Sequence, residues 1–163
     1  MAEELTKYLT QYSIRGKANL KGMYAFAFYD PAEGCILFGR DVYGIKPLYY
    51  YENDELLIVS SEIKGILASG LVEKKLNARQ IDHYLATKYA EAPETFYHNI
   101  YELPPGSTAI WNPKSGFTQQ APNRKKGAAT DQTITSENVV DLVHAALQDA
   151  LMDMLDAEVP LGL

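Results

Sequence analysis

A charged pair, Arg40-Asp41, stands between two apolar runs, and this constrains the chain more than any other feature. The stretch reads GRDVYGIKPLYYYENDELLIVSSEIK from Gly39 to Lys64. Charges are buried only when they are paired and hydrogen-bonded. If the flanking runs are strands, the fold must bring partners to both residues. Gly44 permits a tight turn there, and Pro47 keeps the preceding residue out of helix. The expectation is a joint between two hairpins. Arg40, Asp41 and Glu62 then form a structural charge cluster in which they satisfy one another, because the planar fork of arginine fits a carboxylate.

The neighbouring residues supply the hairpins. GMYAFAFYD (22–30) is apolar on both alternating faces and reads as a central strand covered on two sides. DPAEG (30–34) is a turn, and CILFGRD (35–41) is the returning strand. PLYYYE (47–52) and LLIVSS (56–61) flank NDE and make a second hairpin. EIKGILAS (62–69) is a short helix closed by Gly70. NARQIDHYLATKY (77–89) is a longer one, with Asn77 as N-cap and Ile81, Tyr84, Leu85 and Lys88 as its inner face. ELPPGSTAIWN (102–112) is a proline-stiffened turn feeding a strand. Near the start, Leu5, Tyr8, Leu9 and Tyr12 have helical spacing.

Composition then changes. Residues 113–133 are rich in Gly, Pro, Ala, Lys and Gln, the signature of a linker. TSENVVDLVHAALQDALMDML (135–155) follows, a helix capped by Thr135 or Ser136. Its stripe is Val139, Leu142, Val143, Ala146, Leu147, Ala150 and Leu151. EVPLGL closes the sequence as an apolar strand. A helix leading into an apolar strand suits the opening of an α/β domain. The abrupt start and the apolar end suggest a piece of a longer chain.

The 163 residues are 47% hydrophobic and 22% charged, as in an ordinary globular protein, and the net charge of −6 argues against nucleic-acid binding. No apolar run approaches the ~20 residues that span a bilayer. The single cysteine, Cys35, has no internal disulfide partner, which points to a reducing cytoplasm. His83, His98 and His144 are scattered, and no catalytic set or metal-ligand cluster stands out.

Five segments, LKGMYAFAFYD, GRDVYGIKPLYYY, SSEIKGILASG, LPPGS and EVPLGL, occur in an order and spacing that resemble glutamine-hydrolysing asparagine synthetases. The resemblance covers about residues 3–112 and 136–163. It implies an α+β fold: an incomplete Ntn-hydrolase-type sandwich of antiparallel sheets with flanking helices. The first helix and strand of an α/β ATP-pyrophosphatase domain would follow. The implied domains are 1–112, the rear part of a class II glutamine amidotransferase; 113–134, a linker; and 135–163, the beginning of the synthetase. The implied family activity is ATP-dependent conversion of aspartate and glutamine to asparagine and glutamate, with ammonia channelled between two sites.

The resemblance also sets expectations for single residues. Met23, Ile45 and Lys46 match family positions near the ammonia tunnel, while Met23 and Ile45 also read as plain core residues. An apolar lining would keep ammonia neutral in transit. The family's N-terminal nucleophilic cysteine, its NGE element and its glycine-rich ATP loop have no counterparts in this sequence. The chain alone is therefore expected to be inactive. ATP and magnesium serve the full-length family, and none is expected to bind here. The partners implied are glutamine and aspartate as family substrates, and a homodimer mate or a complementing chain; no nucleic acid and no membrane. Alternatives are a β-lactam-synthetase-like or sugar-amidating relative, or a non-catalytic module that pairs with a separately encoded chain.

Overall fold

A computed structural model describes Leu20, residues 22–120 and residues 134–155 of the chain. The chain divides into two compact units, Met1–Arg124 and Lys125–Leu163. The described part of the first holds β1 (Ala25–Asp30), β2 (Cys35–Arg40), β3 (Tyr49–Glu52), β4 (Leu57–Ser60), α1 (Ile63–Ala68), α2 (Ala78–Thr87), β5 (Tyr101–Glu102), β6 (Thr108–Asn112) and β7 (Gly116–Gln120). The described part of the second holds α3 (Val139–Leu155). The fold is a small α+β arrangement with two antiparallel sheets and three helices among the described residues.

One sheet has the order β1-β2-β6-β7 and the other β4-β3-β5. Three of the turns share one chemistry, a side-chain oxygen that accepts backbone N–H groups just ahead of it. The Asp30 carboxylate accepts from Ala32 (2.9 Å) and Glu33 (3.3 Å) between β1 and β2. The Asn53 amide oxygen accepts from Glu55 (3.0 Å) and Leu56 (2.8 Å) between β3 and β4. That of Asn112 accepts from Lys114 (2.8 Å) between β6 and β7. The registers follow, with Asp30 opposite Cys35, Glu52 opposite Leu57 and Asn112 opposite Gly116.

The core between the sheets joins Phe38, Ala109 and Trp111 of the first sheet to Tyr50 of the second, with Leu48 and Leu103 from the loops. Tyr50 stacks on Phe117 with ring centroids 5.2 Å apart, and Trp111 Nε1–H donates to the Asn53 carbonyl at 3.3 Å. The three consecutive tyrosines alternate as strand geometry requires. Tyr50 enters this core, while Tyr49 and Tyr51 pack on Ile66, Val72 and Ile100 on the sheet's other side. Burial, then the charges of Glu52 and Tyr101, push the Tyr50 phenol up to about 12. A raised folded-state pKa stabilises fully below the unfolded value near 10 and is lost as pH climbs through 12. We expect Tyr50→Phe to leave stability at pH 7 nearly unchanged and to flatten its decline between about pH 10 and 12, measured by urea melts across that range.

Several expectations are corrected. β1 is an edge strand among the described residues, not a central one. Phe26 is buried with Phe28 packed beside it, while on the other face Ala25 packs on the core between the sheets and Ala27 and Tyr29 are exposed. The reason is non-local: β2 has β6 as its second neighbour, and nothing in residues 22–30 encodes that. Residues 116–120, assigned to the linker, are β7, because Phe117 stacks on Tyr50 and the strand pairs with β6. Residues 121–133 lie outside the described set, as do the expected helix at 2–12 and the terminal EVPLGL. Asn77 precedes α2, yet its side chain makes no cap bond and donates instead to Glu94 Oε2 at 3.1 Å. In α2 the fully buried residue is Gln80, while Tyr84 and Leu85 are exposed.

The second unit bears out the capping expectation. The Asn138 N–H donates to Thr135 Oγ1 (3.3 Å), and the Thr135 N–H donates back to Asn138 Oδ1 (2.7 Å), a reciprocal cap. Within the described residues Val139, Leu142, Val143, Leu147 and Leu151 are exposed along α3. No helix among the described residues is long and apolar enough to cross a membrane.

Candidate functional site

The loop that leaves β2 at Arg40 and reaches Leu48 is held from inside by two charged residues. Asp41 is fully buried and Arg40 is 6% exposed. The Asp41 carboxylate accepts the N–H groups of Tyr43 (3.1 Å), Ile45 (3.0 Å) and Lys46 (3.0 Å). Its own N–H donates to the Tyr24 carbonyl at 2.9 Å. Its carbonyl accepts from Gly44 (3.0 Å) and Gly106 (2.7 Å). Burial alone would push this carboxyl up. The N–H groups aimed at it outweigh burial and hold it below the usual carboxylate range.

Arg40 serves the loop's carbonyls. Its Nε–H donates to the Lys46 carbonyl and an Nη2–H to that of Gly44, both at 2.7 Å. Nη1 donates to the Leu103 carbonyl at 2.9 Å and pairs with the Glu102 carboxylate. One aspartate thus collects donors of the loop, at Tyr43, Ile45 and Lys46, and one arginine its acceptors at Gly44 and Lys46.

The same arginine stitches the loop to the LPPGS turn, since the Arg40 N–H donates to the Ser107 carbonyl (3.1 Å) and the Leu103 N–H to that of Leu48 (2.9 Å). Gly44 is required twice over. Its φ is +65°, and an added Cβ would lie 2.8 Å from Pro105 Cγ and 3.0 Å from Arg40 Cζ. Gly44→Ala is expected to cost about 2–4 kcal/mol, the sum of the left-handed penalty and overpacking. Thermal denaturation compared with Gly70→Ala, where φ is +71° but the space is open, separates the two parts.

The expected cluster is corrected: Arg40 and Asp41 do not satisfy each other, because Asp41 accepts backbone N–H groups while Arg40 donates to backbone carbonyls and to Glu102. Arg40 and Asp41 occupy the centre, but the carboxylate on Arg40 is Glu102, and Glu62 is an exposed residue paired with Lys64. Strand order explains the exchange. Tyr49 of β3 has Glu102 as its partner on one side and Ser60 on the other. The β4 end, with Glu62 beyond it, therefore lies about two strand spacings, ~10 Å, from Glu102. A signal for Glu102 did exist: an acid directly before the apolar LPP run is the same anomaly that marked Arg40.

Ile45 and Lys46 belong to the loop through their N–H bonds to Asp41, and Met23 neighbours it through Tyr24. All three side chains are exposed, Met23 by 53% and Ile45 by 54%, so neither is a core residue among the described elements. Cys35 is buried, and burial, then Asp30 and Glu33, raise its thiol, which therefore stays protonated at neutral pH. Among the described residues no group of three or more His, Cys, Asp and Glu could hold a metal ion. Chemically the arrangement is a rigid template that fixes the backbone at 41–47 against 102–107.

A family model described as the glutamine amidotransferase domain matches residues 2–121. Over 84 residues the chain is 39% identical to a putative asparagine synthetase (glutamine-hydrolyzing) 2 of Methanocaldococcus jannaschii, covering 50% of this chain and 16% of the relative. It is 23% identical over 162 residues to asparagine synthetase (glutamine-hydrolyzing) 1 of Bacillus subtilis, covering 98% of this chain and 25% of the relative. It is 28% identical over 158 residues to amidase chry2 of Gibberella zeae, covering 93% and 22%. The chain thus spans a quarter or less of the length of these relatives.

Proposed function

The chain belongs to the glutamine amidotransferase domain family, and we propose that it is part of an asparagine synthetase that takes its nitrogen from glutamine. On this reading the whole protein is an ATP-dependent ligase. Glutamine is hydrolysed in an Ntn-type amidotransferase domain, aspartate is activated in an ATP- and magnesium-dependent domain, and ammonia passes between them. Residues 1–120, which include β7, would belong to the first domain, 121–134 to the link and 135–163 to the opening of the second.

One observation carries the reading. GRDVYGIKP and LPPGS, two of the segments that resemble asparagine synthetases, are far apart in sequence yet form a single locked unit around Arg40. Ile45 and Lys46 lie within that unit and Met23 adjoins it through Tyr24, and on this reading the three stand near the ammonia path. By itself the chain is proposed to be inactive, since its one cysteine is buried with a raised pKa and thiolate attack needs a base and oxyanion donors within reach.

A chimera tests the reading. Residues 22–112 replace the aligned stretch of the M. jannaschii relative, and asparagine formation is followed with glutamine or with ammonium as nitrogen donor. The expected result is glutamine-dependent synthesis. A folded chimera that makes asparagine only from ammonium would overturn it, as would glutamate release by the purified chain alone. The match to two fungal amidases over 93% of the chain supports a second reading, an amidotransferase relative with another acceptor. A chimera that consumes glutamine but forms no asparagine would favour it.

A further inference from the structure

Beside the start of α2 the chain folds around a small hollow of about 280 Å³. Tyr97, Ile100 and Tyr101 line it, and Arg79, Glu94 and His98 bring charge and hydrogen-bonding groups to it. Its size lies just under the ~300–1,000 Å³ of pockets for drug-sized ligands, so a fitting occupant is small. Backbone hydrogen bonds hold the hollow in shape. The Asn77 N–H donates to the Phe96 carbonyl (2.8 Å), the His98 N–H to that of Lys75 (2.9 Å) and the Glu102 N–H to that of Pro93 (2.7 Å). A preformed site loses little freedom on binding.

The two oxygens of Glu94 differ. Oε2 accepts from Gln80 Nε2 and Asn77 Nδ2, both at 3.1 Å. These amides, Gln80 first, hold the carboxyl below its ordinary range, so it is charged at neutral pH. Oε1 accepts no hydrogen bond among the described residues. The cation paired with it, Arg79 Nη1, stands 3.8 Å away, too far to donate. Arg79 in turn commits only Nη2, to Glu91 at 3.2 Å. A charged oxygen and a charged nitrogen thus stand side by side, each with an open position.

We propose that the hollow binds one free α-amino acid, its ammonium on Glu94 Oε1 and its carboxylate on Arg79 Nη1 and the His98 imidazole. A zwitterion answers both open positions at once. A lone cation would leave Arg79 unanswered, and a lone anion would meet Glu94 at close range, where like charges repel. An α-amino acid carries its two charges on groups bonded to one carbon, which suits an acceptor and a donor 3.8 Å apart. Arg79 is 69% exposed, so water competes and the affinity is about millimolar. The site shares no lining residue with the Arg40 unit and does not depend on the proposed nitrogen transfer.

Titration of the isotope-labelled full chain, followed by amide NMR shifts, tests this. The probes are L-aspartate, L-asparagine, L-glutamate and L-glutamine up to about 20 mM. Putrescine and glutarate, which carry charge of one sign only, are the controls. The expected result is saturable shifts around Arg79, Glu94 and His98 with at least one of the amino acids and none with the controls. Arg79→Leu should raise the Kd at least about tenfold, and Glu94→Gln should do the same. Lys64→Leu, which removes an exposed cation elsewhere, should leave it unchanged. Arg79 is an exposed side chain whose loss spares the fold, so the test holds even where Glu94→Gln fails to fold. No saturation with any of the amino acids, an equal response to putrescine or glutarate, a Kd that Arg79→Leu leaves unchanged, or equal weakening by Lys64→Leu would each overturn the proposal.

Discussion

Replacing Arg40 by methionine is expected to lower the folding stability of the first unit by about 3–5 kcal/mol, the usual cost of removing one partner from a buried ion pair. Methionine keeps much of the side-chain volume, so packing loss is small and the electrostatic part dominates. Glu102 loses its cation, the buried Leu103 carbonyl loses its donor, and so do the part-buried carbonyls of Gly44 and Lys46. In urea the midpoint should fall by about 2 M at unchanged slope. Combining Arg40→Met with Glu102→Met should recover part of the loss, since the orphaned carboxylate is then gone. A single variant within about 0.5 kcal/mol of wild type would mean that the guanidinium does not hold this loop. Glu62→Gln should fall within that same margin, because its partner Lys64 is as open to solvent as it is.

Asp41→Asn should cost about 2–4 kcal/mol at pH 7. The amide keeps the shape but removes the charge, and one of its ends is now an NH2 group facing N–H donors. The effect has a defined pH sign. The folded-state pKa of Asp41 is depressed, so its contribution is complete above the unfolded value near 4 and fades as pH falls through the folded value. Stability curves from pH 7 downward should therefore converge: wild type loses this contribution in acid, and the asparagine variant has none to lose. Parallel curves down to about pH 2 would show that Asp41 is not the titrating anchor. Limited proteolysis with chymotrypsin reads the same effect locally, since a released loop becomes cleavable after Tyr43 before the sheets unfold.

Local patterns carried a good part of this architecture. Both early hairpins, the helices after Glu62 and Asn77, the strand after LPPG and the Thr135 cap were legible because turn chemistry and periodicity act within a few residues. The anomalies that carried meaning were charges in apolar company, and they pointed to Arg40 and Asp41 directly. The misread features share a cause. The edge position of β1, the strand at Gly116–Gln120 and the polar docking side of α2 depend on residues far away in sequence: β6 beside β2, Phe117 on Tyr50, Glu91 and Glu94 around Gln80.

The amino-acid order by itself determined that two buried charges must be neutralised where two hairpins meet, because desolvation makes no exception for a charge left alone. Which carboxylate answers Arg40 was decided only in three dimensions. Glu62 and Glu102 are chemically equivalent, and strand order alone put Glu102 beside the guanidinium while leaving Glu62 in solvent two strands away.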